Sequence, residues 1–155
     1  MTAAPEGLHN FRDTGGTPLV AGGSTRPGVL YRSDALNLLT PAGQEALAAT
    51  PIGVVVDFRT PTEKNYAPNA LPTSRAFRVI ELPILEGALA DAAQNILTSA
   101  PAGGLSPEMI TGLLAQLPTL SELYIGMLQR SAAAFVEIAR LLADPEGDAV
   151  LLHCT

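Results

Sequence analysis

The stretch Ile52-Gly53-Val54-Val55-Val56-Asp57-Phe58-Arg59 limits the fold more than any other part of the chain. Its β-branched side chains favour extended backbone. Successive strand residues point to opposite faces, so an unbroken apolar run must be buried on both. Such a strand belongs inside a parallel sheet covered by helices. The flanking sequence agrees. Val29–Ser33 is a second strand candidate, and Thr40-Pro41 caps a helix that runs to about Ala49. Thr60 with Glu63 three residues on has the spacing of a capping box. A further short strand falls within Phe77–Pro83, and helices are expected at about Gly87–Ser99 and Ser106–Leu117. A long helix is expected from Thr119 to Leu142, with Leu120, Leu123, Tyr124, Met127, Leu128, Phe135, Ile138, Leu141 and Leu142 marking one buried face. Ala149–Leu152 reads as a last buried strand. This order predicts an α/β fold, a central and mostly parallel sheet flanked by helices, in one domain over 1–155.

Composition narrows function. The formal charge of −6 argues against nucleic-acid binding. Seven of the nine basic residues lie before position 81, and eight of the nine are Arg, suited to two-pronged contacts with phosphate or carboxylate. One Cys and two His supply neither a disulfide framework nor a typical structural zinc site. No apolar run approaches the ~18 residues of a membrane span. Met1–Glu6 is not a signal peptide. A cytoplasmic protein is expected.

Ligands of open parallel sheets bind beyond the carboxyl ends of the strands. Arg59 and Cys154 each sit at such an end. A lone Cys by itself reads as an inert core residue. Cys154, however, ends a strand, adjoins His153, and stands where the chain would leave the sheet for a loop. Backbone amides of such a loop stabilise a thiolate. His153 points to the opposite face, so it is not a direct base for Cys154. It reads equally as a support for the loop or as a half-buried strand-end His. Asn10–Gly16 reads as an ordered turn locked by Arg12 and Asp13, and Gly22-Gly23 with Arg26–Gly28 as turns around a short hairpin. Arg32 is expected to pair with Asp34 or Asp57. Arg59 is read as a phosphate or substrate contact, as a buttress of the Cys loop, or as an ion-pair partner of Asp57 or Glu63.

His153-Cys154-Thr155 resembles the start of the His-Cys-x-x-Gly-Lys-Asp-Arg-Thr-Gly signature of bacterial tyrosine phosphatases related to mycobacterial tyrosine phosphatase B. Further motifs follow that family's order. They are Asn10-Phe11-Arg12-Asp13 with Gly15-Gly16, Leu30-Tyr31-Arg32-Ser33-Asp34-Ala35-Leu36, Ile52–Arg59 with Glu63, and Leu82-Pro83-Ile84. The resemblance covers nearly the whole chain and is weakest from Gly87 to Pro118.

The resemblance implies a cysteine-phosphatase-like fold that hydrolyses phosphotyrosine, and in the broader case phosphoserine, phosphothreonine or phosphoinositides. Cys154 takes the place of the nucleophile that forms a phosphocysteine, and Thr155 falls in the substrate-binding loop. Relatives place an Asp general acid just after the Leu-Pro strand end. Glu86 stands there in this chain, with Asp91 as second candidate. The segment 86–118 corresponds to a helical lid. The loop Arg, Lys and Asp of the signature would fall past Thr155. The chain therefore resembles a phosphatase truncated after its catalytic Cys, inactive alone, prone to aggregate through an exposed sheet face, and completed by its remaining C-terminal segment. The resemblance implies that no metal or cofactor is needed, that the partner is a phosphorylated protein or phospholipid, and that export without a signal peptide stays open. A phosphatase-like binding module without turnover and a rhodanese-like sulfurtransferase are the alternatives.

Overall fold

The computed structural model describes residues 4–84, 111–112, 119–144 and 147–154. It divides into two compact units, Met1–Pro83 with Ala134–Thr155, and Ile84–Ala133. The first unit holds the sheet. Its strands are β1 (Arg12–Asp13), β2 (Leu30–Ser33), β3 (Ile52–Asp57), β4 (Arg78–Glu81) and β5 (Ala149–His153), in the order β1-β2-β5-β3-β4. Only the β1–β2 pair is antiparallel; β2–β5, β5–β3 and β3–β4 are parallel. The α/β sheet expected from the valine run is therefore present.

All six residues of β3 are buried, between β5 on one side and β4 on the other. One face of the sheet carries Tyr31, Val55 and Leu151. These pack with Leu8, Leu36, Leu39 and Leu47 into the main core. Full burial of each such side chain contributes about 1.5–3 kcal/mol. Gly53 interrupts the ladder: the register shifts between Ile52 and Val54. A Cβ at Gly53 would run into the Asp148 side chain, so the bulge needs a residue without one.

Two helices of this unit begin as their sequences dictate. In α1 (Pro41–Ala48), the Thr40 hydroxyl accepts from the Gly43 amide, with Pro41 in the first turn. In α2 (Pro61–Tyr66), Thr60 and Glu63 close both halves of a capping box. The expected hairpin near Gly22 is present as an antiparallel bridge between Pro18 and Ser24. Arg12–Asp13, read from sequence as part of a turn, instead forms the short edge strand β1.

The expected long helix is two, α3 (Leu120–Arg130) and α4 (Ala132–Ala143). Ser131 leaves the helical region at φ −101° and ψ 19°. Its hydroxyl lies within hydrogen-bond reach of the Ile84 carbonyl, a bond to backbone outside the helix of the kind that makes serine a weak helix-interior residue. The expected buried face is likewise corrected. Ile138 is buried, but Tyr124, Leu128 and Phe135 are 56%, 56% and 37% exposed. Among the described side chains the apolar stripe is covered only in part. No helix among the described residues is long and apolar enough to cross a membrane.

Candidate active site

The site is built on the carboxyl ends of β2, β3 and β5. Parallel pairing brings Asp57 level with His153, and the Phe58 amide donates to the His153 carbonyl at 3.1 Å. The Leu82 amide donates to the Asp57 carbonyl at 2.9 Å, which brings the Leu82-Pro83 strand end beside β3. Cys154 therefore leaves the sheet from a fixed edge.

Alternation then sorts the side chains. Arg32, Leu152 and Val56 occupy one level across β2, β5 and β3. Leu30 lies two residues before Arg32, Cys154 two beyond Leu152 and Phe58 two beyond Val56, so all share one face. That face opens into a pocket of about 260 Å³ lined by Thr14, Leu30, Arg32, Phe58, Leu152 and Cys154, with Tyr31, Ser33 and His153 completing it. Cys154 is half-buried at this wall. The lining is mostly apolar and places one arginine, Arg32, on the same wall as Cys154.

His153 faces the other way and is 2% exposed. Its Nε2 lies 3.4 Å from Asp57 Oδ2, without the alignment of a hydrogen bond. Its Nδ1 is buried and has no partner among the described residues.

Asp57 and Arg59 are both fully buried. Arg59 donates from Nε to Asp57 Oδ1 at 2.9 Å and from Nη2 to Asp57 Oδ2 at 2.8 Å, a fork-to-fork pair. The Arg59 amide adds a third bond to the same carboxylate. Nη1 reaches the Ala67 carbonyl, and Nη2 also reaches Asn69 Oδ1, while Asn69 Nδ2 returns a bond to Asp57. Burial pushes the Asp57 carboxyl up, but His153 and the side chain and amide of Arg59 outweigh it and hold the acid well below the usual carboxylate range. Of these partners Arg59 has the better geometry, with three aligned bonds against one 3.4 Å contact. Arg59 is pushed further up, first by its bond to Asp57 and against burial, with the charges of Asp57, Glu63 and Cys154 adding to it.

Of the expected partners of Arg59, the structure shows Asp57; its guanidinium also bonds Ala67 and Asn69 and is not among the residues that line the pocket. Asp13 accepts from the amides of Gly15 and Gly28 at 2.8 and 2.7 Å, the expected lock on the amino-terminal turn. Arg12 donates to the Asn10 carbonyl at 3.3 Å. Arg32 departs from expectation. It pairs with neither Asp34, which accepts from the His9 amide, nor Asp57, which Arg59 fills; it makes no ion pair or hydrogen bond among the described residues. Glu86, Asp91 and Thr155 lie outside the described residues, as does segment 86–118 apart from Thr111 and Gly112. The sequence reading missed Asn69, whose loop carries no local signal, and the pocket-facing position of Arg32, which follows from the strand register. Among the described residues no group of three or more His, Cys, Asp or Glu is placed to hold a metal ion.

Comparison with known families agrees with this mostly parallel sheet ending on His-Cys: residues 4–155 match the tyrosine phosphatase family, and the chain belongs to it. Among its relatives, a protein of Cupriavidus necator named "Putative tyrosine-protein phosphatase" is 31% identical over 149 residues, covering 96% of this chain and 49% of that protein. A tyrosine-protein phosphatase of Nostoc commune is 27% identical over 124 residues, covering 80% of this chain and 36% of that protein. The chain thus spans half or less of the length of these relatives.

Proposed function

We propose that this chain is the Cys-bearing part of a longer phosphatase of the mycobacterial tyrosine phosphatase B type, hydrolysing phosphotyrosine monoesters through a phosphocysteine. The observation that carries the proposal is the position of Cys154: a half-buried thiol at the carboxyl edge of a parallel sheet, on a pocket wall shared with a cation.

In the first step the Cys154 thiolate attacks phosphorus. The S–P bond forms as the P–O bond to the tyrosine oxygen breaks, and Glu86, or Asp91 in its place, gives that oxygen a proton. In the second step water attacks phosphorus, the S–P bond breaks, inorganic phosphate leaves, and the carboxylate takes the proton from the water. His153 and the Asp57–Arg59–Asn69 cluster fix the strand end from which Cys154 projects. Arg12 and Asp13 hold the turn beside it. Thr155 begins the substrate-binding loop, and the loop Arg and amides that hold the phosphoryl oxygens follow it in the longer protein. Segment 86–118 serves as a lid, and phosphoserine, phosphothreonine or phosphoinositide esters are further substrates. The cytoplasm is the expected compartment, with export lacking a signal peptide as the other route.

Hydrolysis of para-nitrophenyl phosphate by the full-length protein tests this. The intact protein should turn over, and Cys154→Ser, which removes the nucleophile, should lose turnover by a factor on the order of 10⁶. Unchanged turnover in Cys154→Ser removes the thiol from the mechanism. Absence of turnover with phosphotyrosine peptides still bound points to a binding module. Transfer of sulfur from thiosulfate to cyanide points to a sulfurtransferase.

A further inference from the structure

Arg12 and Arg32 stand directly opposite each other on β1 and β2. Opposed residues of an antiparallel pair share a face, so both guanidinium groups rise from the face that carries Leu152 and Cys154. Both are exposed. Two like charges at directly opposed positions destabilise a strand pair unless something neutralises them. Among the described residues no carboxylate lies within ion-pair distance of either. Asp13 is held by the Gly15 and Gly28 amides, Asp34 accepts from the His9 amide, and Asp57 is filled by Arg59 and Asn69. Neither Arg12 nor Arg32 has an ion pair among the described residues; Arg12 has its one bond to the Asn10 carbonyl.

The distance to Cys154 follows from the register. Arg32 is level with Leu152 on the adjacent strand. Cys154 is therefore one strand spacing across and two residues along, about 8 Å from Cα to Cα. Arg32 lines the Cys154 pocket, and Arg12 lies one strand further out. A phosphoryl group at Cys154 would have this cation pair beside it, on the side away from β3. The anion that fits is a second one, carried by the same substrate a few ångströms from the ester.

We infer that Arg12 and Arg32 form an anion subsite that receives a carboxylate flanking phosphotyrosine in an acidic peptide. The inference rests on the reading of Cys154 as the nucleophile. A peptide fits better than a bilayer, because membrane recognition takes a cluster of about four to eight basic residues. Here there are two, on a chain of net charge −6.

The test measures kcat/KM of the full-length protein on a phosphotyrosine peptide with Glu on both sides and on the same peptide with Gln. Two exposed charge contacts give an expected preference for the Glu peptide of about three- to tenfold, expressed in KM with kcat unchanged. Arg32→Gln should bring the ratio close to one, Arg12→Gln should lower it less, and Arg140→Gln, far along α4, should leave it intact. Raising the salt concentration should compress the ratio in the native protein and not in Arg32→Gln. A ratio that survives Arg32→Gln overturns the inference. So does an equal loss on both peptides with a lowered melting temperature, which marks a structural arginine. An Arg32 dependence seen on phosphoinositide vesicles and absent on both peptides also overturns it. If the native protein turns over neither peptide nor para-nitrophenyl phosphate, the phosphatase reading has failed. Fluorescence anisotropy of the two unphosphorylated peptides then still decides the subsite: tighter binding of the Glu peptide that Arg32→Gln abolishes supports it, and equal binding overturns it.

Discussion

Asp57→Asn tests the buried charge cluster on which the strand end depends. The carboxylate is 1% exposed and the Arg59 side chain 0% exposed, with Nη2 and Oδ2 2.8 Å apart. At an effective dielectric constant near 20, their attraction is about 6 kcal/mol. Desolvating two ions costs several kcal/mol each, so the intact pair is close to neutral in net terms. Removing one charge changes the balance. The Asn side chain keeps the shape and one acceptor oxygen, but leaves the guanidinium buried without a counter-charge, at an expected cost of about 3–5 kcal/mol. For a domain of this size that lowers the melting temperature by about 6–20 °C. Urea unfolding followed by circular dichroism measures it. Asp57→Leu combined with Arg59→Met should be more stable than Asp57→Leu alone, because both charges are then gone.

The pH dependence follows from the same group. The folded carboxyl lies below its unfolded value, so its contribution is fully present above about pH 5. It is lost as acid takes the pH below about 4 and through the folded value. Asp57→Asn should abolish that part of the acid loss. A change within 1 kcal/mol for Asp57→Asn, or a double variant that loses the sum of both singles, would refute the reasoning about the cluster.

Other expectations concern local structure. Thr60→Ala removes the hydroxyl that accepts from the Glu63 amide and should cost about 1 kcal/mol in urea unfolding, with Ser restoring most of it. Gly53→Ala drives a methyl group into the Asp148 side chain and should cost about 1–3 kcal/mol, with Asp148→Gly relieving it in the double variant. If segment 86–118 acts as a lid, its amides should exchange with deuterium faster than those of Val54–Phe58; equal protection would count against a lid.

The parts of the fold legible in the sequence are those fixed by neighbouring residues. Val54-Val55-Val56 specify a strand by side-chain shape alone, and burial on both faces identifies it as central. Thr40 and Thr60 announce helix starts because a cap acts within four residues. The Cys154 position was legible as a strand end for the same reason. What escaped depends on distant contacts. Asn69 reaches Asp57 across twelve positions. Sequence alone pairs Arg32 with Asp34 or Asp57, yet the His9 amide and Arg59 reach them first. Ser131 looked like an ordinary helix residue, and its bond to Ile84 spans 47 positions. β1 is two residues long, too short for any alternation to show.

The central claim is that Cys154 carries the phosphoryl group. Acid quench of the full-length protein during turnover of a phosphotyrosine peptide, followed by peptide mass spectrometry, tests it most directly. The expected result is the mass of one phosphoryl group on the peptide containing Cys154, removed by Cys154→Ser. A phosphoryl group on another residue, or turnover that persists in Cys154→Ser, would contradict it.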